Sequence, residues 1–181
     1  MYQANNRFLL TLLGVAFFLS ASAGYARQSY VVGSDEQDKC HQIKKGTIVE
    51  IAKASGKFTI LLKALEKTGL MESIDQAQGP LTLFAPTDDA FNQLAQSEME
   101  ALMNDKELLK DVLLYHVVEG RLTVKEATSR EVVQSAEGDD LFFFRDEKGY
   151  GVNEANIICA DIEASNGIVH VIDYVLFPMV K

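Results

Sequence analysis

Thr82-Leu-Phe-Ala-Pro-Thr-Asp-Asp-Ala-Phe91 is the stretch on which the fold turns. Its apolar start reads as a central strand with buried side chains. Pro86 has no N–H to give to a ladder and stops that strand. Thr87 or Asp88 then offers an oxygen to cap a following helix. Asp88 and Asp89 sit where the helix dipole welcomes negative charge, which accounts for the pair better than acid–base chemistry does. About 80 residues on, Asn166-Gly-Ile-Val-His-Val-Ile-Asp-Tyr-Val-Leu-Phe-Pro178 has the same logic. Asn166-Gly167 predicts a tight hairpin with positive φ angles. Residues 168–172 and 174–177 follow as core strands, Asp173 takes a turn or bulge position, and Pro178 is the stop.

Between and around these segments the periodicity changes once. Thr47-Ile-Val-Glu50, Ser97-Glu-Met-Glu100 and Thr123-Val-Lys-Glu126 each place a hydroxyl and, three residues on, a carboxylate, the pattern of a capping box. Phe58, Leu61, Leu62 and Leu65, with Ile60, form a helical stripe that ends near Thr68-Gly69. Leu70, Met71 and Ile74 suggest one more short turn. Further helices carry Ala90, Phe91 and Leu94, then Met99, Leu102 and Met103, then Leu108, Leu109, Val112, Leu113 and His116. From Glu131 onward the period is that of strands, at 131–135, 141–145, 150–152 and 157–162 before the last two. Asp146-Glu-Lys-Gly149 and Ser165-Asn-Gly167 read as hairpins. Helices first and a meander of strands afterwards predict an α+β fold.

The two quoted segments, with Tyr115-His116 between them, resemble the hallmark segments of the fasciclin domain, from about Ile43 to Val180. The resemblance implies a fasciclin-like β-wedge or sandwich with helices packed along one edge. It implies adhesion through protein or carbohydrate partners, and no enzymatic activity. It also suggests partner-binding residues. Tyr115 and His116 match a pair linked to integrin binding in animal relatives, and Asp161-Ile162 matches an Asp-Ile pair of adhesive animal domains. On that reading Asp161 is an exposed anionic acceptor and Ile162 an apolar contact. The residues themselves also allow His116 to be a buried, hydrogen-bonded side chain holding helix to sheet.

The ends and the composition narrow the function. Residues 1–26 carry one charge, Arg7, and an apolar run of 12 residues at 8–19, followed by small residues. That is the layout of a signal peptide, cut after Ala23 or Ala26; an uncleaved anchor is the alternative. Residues 27–42 form a polar arm, and 43–181 the domain. Of the 17 Lys+Arg and 26 Asp+Glu, the leader holds one base and no acid, so the rest carries about −10. Such a chain disfavours nucleic acid and anionic membrane surfaces, and no later stretch predicts a stable membrane insertion. Cys40 and Cys159, an even count in an exported chain, predict a disulfide; free thiols are the alternative. Their loop of about 119 residues would give a chain-entropy gain of roughly 4–5 kcal/mol. A zinc site from Cys40, His41 and Cys159 lacks paired spacing and a fourth ligand, so neither metal nor cofactor is expected. His170 alternates with Val169 and Val171 and is read as structural. No nucleophile elbow, zinc-protease motif, P-loop or C-x-x-C occurs. Phe142 to Phe144 and Tyr150 offer an apolar strip. The leading expectation is an exported module, secreted or periplasmic, that attaches to a macromolecule of an envelope, a matrix or a host surface. The second is a periplasmic carrier holding a small apolar ligand between helices and sheet.

Overall fold

A computed structural model describes residues 46–147 and 149–179. The expected leader and arm, with Cys40 and His41, lie outside the described residues. Among the described residues, three helices come first: α1 (Ile48–Ser55), α2 (Thr59–Thr68) and α3 (Leu70–Asp75). Strand β1 (Leu81–Pro86) follows, then α4 (Asp88–Asn92), α5 (Gln96–Asn104) and α6 (Lys106–Tyr115). The rest is β2 (Val117–Glu119), α7 (Val124–Arg130), β3 (Val132–Gln134), β4 (Asp140–Asp146), β5 (Gly149–Val152), β6 (Ala155–Ala164) and β7 (Gly167–Ile172).

The caps explain most of the helix starts. Thr47 and Thr123 each accept from the amide three residues on, while Glu50 and Glu126 reach back to the cap amide. Gly69 ends α2 in the left-handed region, at φ 81. The Ser97 box does not form. Leu94 stays in the core, the chain turns at Ala95, and α5 starts two residues sooner than that box implies. The Glu98 carboxylate then takes the Ala95 amide at 2.9 Å, half a capping box without the hydroxyl.

The seven strands make one mixed sheet in the order β2-β1-β7-β6-β5-β4-β3. Among the described residues only β1 and β7 pair in parallel, from Leu81 opposite Gly167 to Pro86 opposite Ile172. The Ala136 amide, just past β3, donates to the Val117 carbonyl of β2 at 2.7 Å. The two ends of the sheet therefore approach each other, and the sheet curls toward a barrel, an α+β fold.

That curl divides the apolar interior into two clusters. Leu83, Ala85, Val169 and Val171 face the helices, where Ile51, Leu61, Leu65, Phe91 and Leu109 meet them. Phe84 and Ile172 point the other way, to Tyr115, Leu141, Phe143 and Val152. β1 and β7 are thus buried on both sides, as their near-continuous apolar runs require. Burying Phe84 fully is worth about 2–3 kcal/mol by itself.

Two further expectations need correction, and one strand was not expected. Residues 174–177 form no strand. The Asp173 carboxylate takes the Asn156 amide at 2.7 Å and its side-chain amide at 2.8 Å, which ends the β6–β7 ladder. Val175 and Leu176 are still buried, one in each cluster, but no strand pairing extends past Ile172. β2, only three residues long, carries no turn or alternation signal that separates it from α6. Asn166-Gly167 supplies no positive φ. The turn residues are Ser165 and Asn166, and Gly167 already belongs to β7.

Candidate functional site

α6 ends at Tyr115, and His116 is its C-cap. His116 is 1% exposed. Its Nδ1 lies 2.7 Å from the Val112 carbonyl, and its Nε2 lies 3.0 Å from the Leu176 amide. A carbonyl can only accept and an amide can only donate, so the proton sits on Nδ1 and Nε2 is the acceptor. Burial pushes the imidazole pKa down from 6.5 to about 4, against the pull of the Val112 carbonyl. Tyr115 is 2% exposed. Its hydroxyl donates to the Asp140 carbonyl and accepts from the Asn153 side chain, both at 2.8 Å. Burial raises its pKa. Both side chains tie α6 to strands or to the chain beyond β7, and neither presents a contact surface.

The second pair lies on a bulge of β6. The register with β7 shifts between Cys159 and Ile162, and Asp161 takes a φ of 56. Ile162 is 4% exposed and packs with the helix-side cluster, so the expected apolar contact is a core residue. Asp161 keeps 39% of its side chain exposed but is engaged. Its Oδ1 accepts from the Val124 amide at 2.9 Å, at the start of α7, and its own amide donates to His170 Nδ1 at 3.2 Å. His170 is fully buried, and its Nε2–H donates to the Leu122 carbonyl at 2.8 Å. Burial lowers its pKa, with Leu122 and Asp161 pulling the other way.

These pairs do not touch, yet one buried line joins them. The Phe84 amide donates to the His116 carbonyl at 2.9 Å. The Phe84 ring stacks on the His170 ring at 5.1 Å, and the two residues are register partners in β1 and β7. Both quoted sequence segments and both residue pairs therefore meet at the centre of the fold.

Apart from Leu108, Ile158 and the terminal Phe177 and Met179, the large apolar side chains left exposed lie on the outer side of β3, β4 and β5. Leu141 and Phe143 point inward, so Phe142 and Phe144 point out, 51% and 37% exposed. Val132, also exposed, is the register partner of Phe142. Phe144 lies over Gly151, where a Cβ would come within 2.2 Å of its ring. On the other face of β4, by the same alternation, the Arg145 guanidinium sits 5.2 Å from the ring centre of Tyr150, its register partner in β5. Alternation in 141–144 was the available signal for Phe142 and Phe144; Val132 needed the β3–β4 register. The depression lined by Thr123, Lys125, Glu126, Ser129 and Arg130 is open and polar. Among the described residues no cluster of three His, Cys, Asp or Glu side chains is placed to hold a metal. No described helix is long and apolar enough to cross a membrane.

A family model for the fasciclin domain matches residues 56–178. Protein sll1483 of Synechocystis sp. is 42% identical over 134 residues, 73% of each chain. The cell surface glycolipoprotein MPB83 of Mycobacterium bovis is 33% identical over 100 residues, 55% of this chain and 44% of that one. Among solved structures, a FAS1 domain pair from the insect cell adhesion molecule Fasciclin I superposes with a TM-score of 0.63 at 17% identity. That match covers 75% of this chain and 51% of the other.

Proposed function

The chain belongs to the fasciclin-domain family, and from that premise we propose that it is an exported adhesion module, not an enzyme. Its target is a protein or carbohydrate of an envelope, a matrix or a host surface. The observation that carries this reading is the exposed strip of Val132, Phe142 and Phe144 on the outer side of β3 and β4. Such a strip is costly to leave in water unless something covers it. Tyr115, His116 and Ile162 support contact only indirectly, by shaping the framework. MPB83 is a cell-surface protein and Fasciclin I a cell adhesion molecule, and the expected leader at 1–26 would carry this chain to a comparable place. A disulfide between Cys40 and Cys159 suits that compartment. Cys159 is 4% exposed in β6, and no free cysteine occurs among the described residues.

The carrier reading needs an enclosed apolar cavity between helices and sheet. Ile51, Leu61, Leu65, Phe91 and Leu109 fill that interface against β1 and β7, which favours adhesion. Immobilised protein beginning at Arg27 tests the choice. It should retain a macromolecule from envelope or matrix extracts. Recovery of a stoichiometric small apolar compound, with no macromolecule retained, would favour the carrier.

A further inference from the structure

Beyond Ile172 the chain leaves the sheet, and residues 173–179 close over the seam between the two apolar clusters. Asp173 anchors the start of this segment through Asn156, and its carbonyl accepts from the Gln93 side chain. Among the described residues, everything past Asp173 is tied by a single hydrogen bond, from the Leu176 amide to His116 Nε2. Val175 and Leu176 are fully buried, whereas Phe177 and Met179 are already exposed.

We infer that residues 173–179 are an acid-released latch, held shut by the neutral imidazole of His116. Nδ1–H is committed to the Val112 carbonyl, so a second proton must go to Nε2. There it faces the Leu176 N–H, donor against donor, and leaves the amide of a buried residue without a partner. Among the described residues nothing nearby compensates the new charge. Glu107, Lys110 and Asp111 on α6 and Glu119 on β2 are exposed. β1 carries no titratable side chain. On β7, His170 is bonded to the Leu122 carbonyl and to the Asp161 amide, and in the segment Asp173 is bonded to Asn156. Tyr174, in the segment itself, is half-buried. Opening the segment is the local way to hydrate the imidazolium. The β1–β7 ladder makes no use of the ring and stays paired. Burial holds the His116 pKa at about 4, so the latch stays closed at neutral pH. Once open, it presents Val175 and Leu176 together with Phe177 and Met179 as one apolar run.

Amide hydrogen exchange on the full chain at pH 7 and near pH 4, expressed as protection factors, tests this. Protection at Leu176 should fall at least about tenfold more than at Val169 in β7, a local opening below the global one. The fall should follow the His116 ring titration seen by NMR. His116→Gln keeps an acceptor and cannot ionise, so its Leu176 amide should stay protected at pH 4. Equal losses at Leu176 and Val169, or protection at Leu176 that persists through the ring titration, would overturn the latch. If H116Q does not fold, the comparison of Leu176 with the ring titration in the unaltered chain decides alone.

Discussion

Asn166 binds three elements with one residue. Its Oδ1 accepts from the Ile48 amide at the start of α1, its Nδ2 donates to the Ile74 carbonyl of α3, and its own carbonyl accepts from the Leu81 amide of β1. Gly167 serves a close approach, since a Cβ there would stand 1.9 Å from the Leu81 carbonyl oxygen. Asn166→Ala should therefore cost about 1–3 kcal/mol, the range for orphaning partly buried groups. Gly167→Ala should cost more, because backbone has to move; urea denaturation measures both. The histidines make a prediction with a sign. The pKa of folded His116 is about 4 against 6.5 when exposed, so between those values the unfolded chain binds more protons. Stability present above pH 6.5 is lost as pH falls toward 4, by about 3 kcal/mol at roughly 1.4 kcal/mol per unit. His170, lowered by burial, acts in the same direction. The melting temperature should drop from pH 7 to pH 4, and His116→Gln should flatten that drop.

At the scale of elements, α2 shows how one segment finishes another. Its N-cap is Phe58, which has no oxygen to offer. Asp88, at the first turn of α4, supplies the cap from across the fold: Oδ1 accepts from the Ile60 amide and Oδ2 from the Thr59 hydroxyl, both at 2.8 Å. Burial raises the pKa of Asp88, but the bonds from Ile60 and Thr59 outweigh it and leave the pKa lowered. Asp88→Ala should destabilise the protein by about 1 kcal/mol, as loss of a cap does, with the first turn of α2 losing amide protection before the rest. Sequence placed Asp88 at a helix start, which is correct, but its partner is 28 residues away and not legible in any local pattern. The Thr47 and Thr123 boxes and the strand ending at Pro86 were legible because each rests on neighbours within four residues. Residues 174–177 were not. Their apolar run is what a strand would need, and only Asp173 meeting Asn156 decides otherwise.

For the whole molecule, the fold was legible because β1 and β7, the doubly buried pair at its centre, are also its most continuous apolar runs. The surface was less so. Ile162 was read as a contact from its resemblance to an Asp-Ile pair of adhesive relatives; a bulge, invisible in sequence, turns it inward. Val132 joins Phe142 only through the β3–β4 register. The proposed link between Cys40 and Cys159 would extend the account to the N-terminal arm. Labelling the unreduced, denatured protein should modify neither cysteine, and reduction should lower the melting temperature by roughly several degrees; two reactive thiols would remove the staple. The most direct test of the adhesive reading is the Kd for the captured partner, measured with the unaltered protein and with Phe142→Ser/Phe144→Ser. Both side chains project outward, so the variant should stay folded, with a melting temperature within about a few degrees. Its Kd should rise at least about tenfold, roughly 1.4 kcal/mol. An unchanged Kd in the folded variant would contradict attachment through this strip.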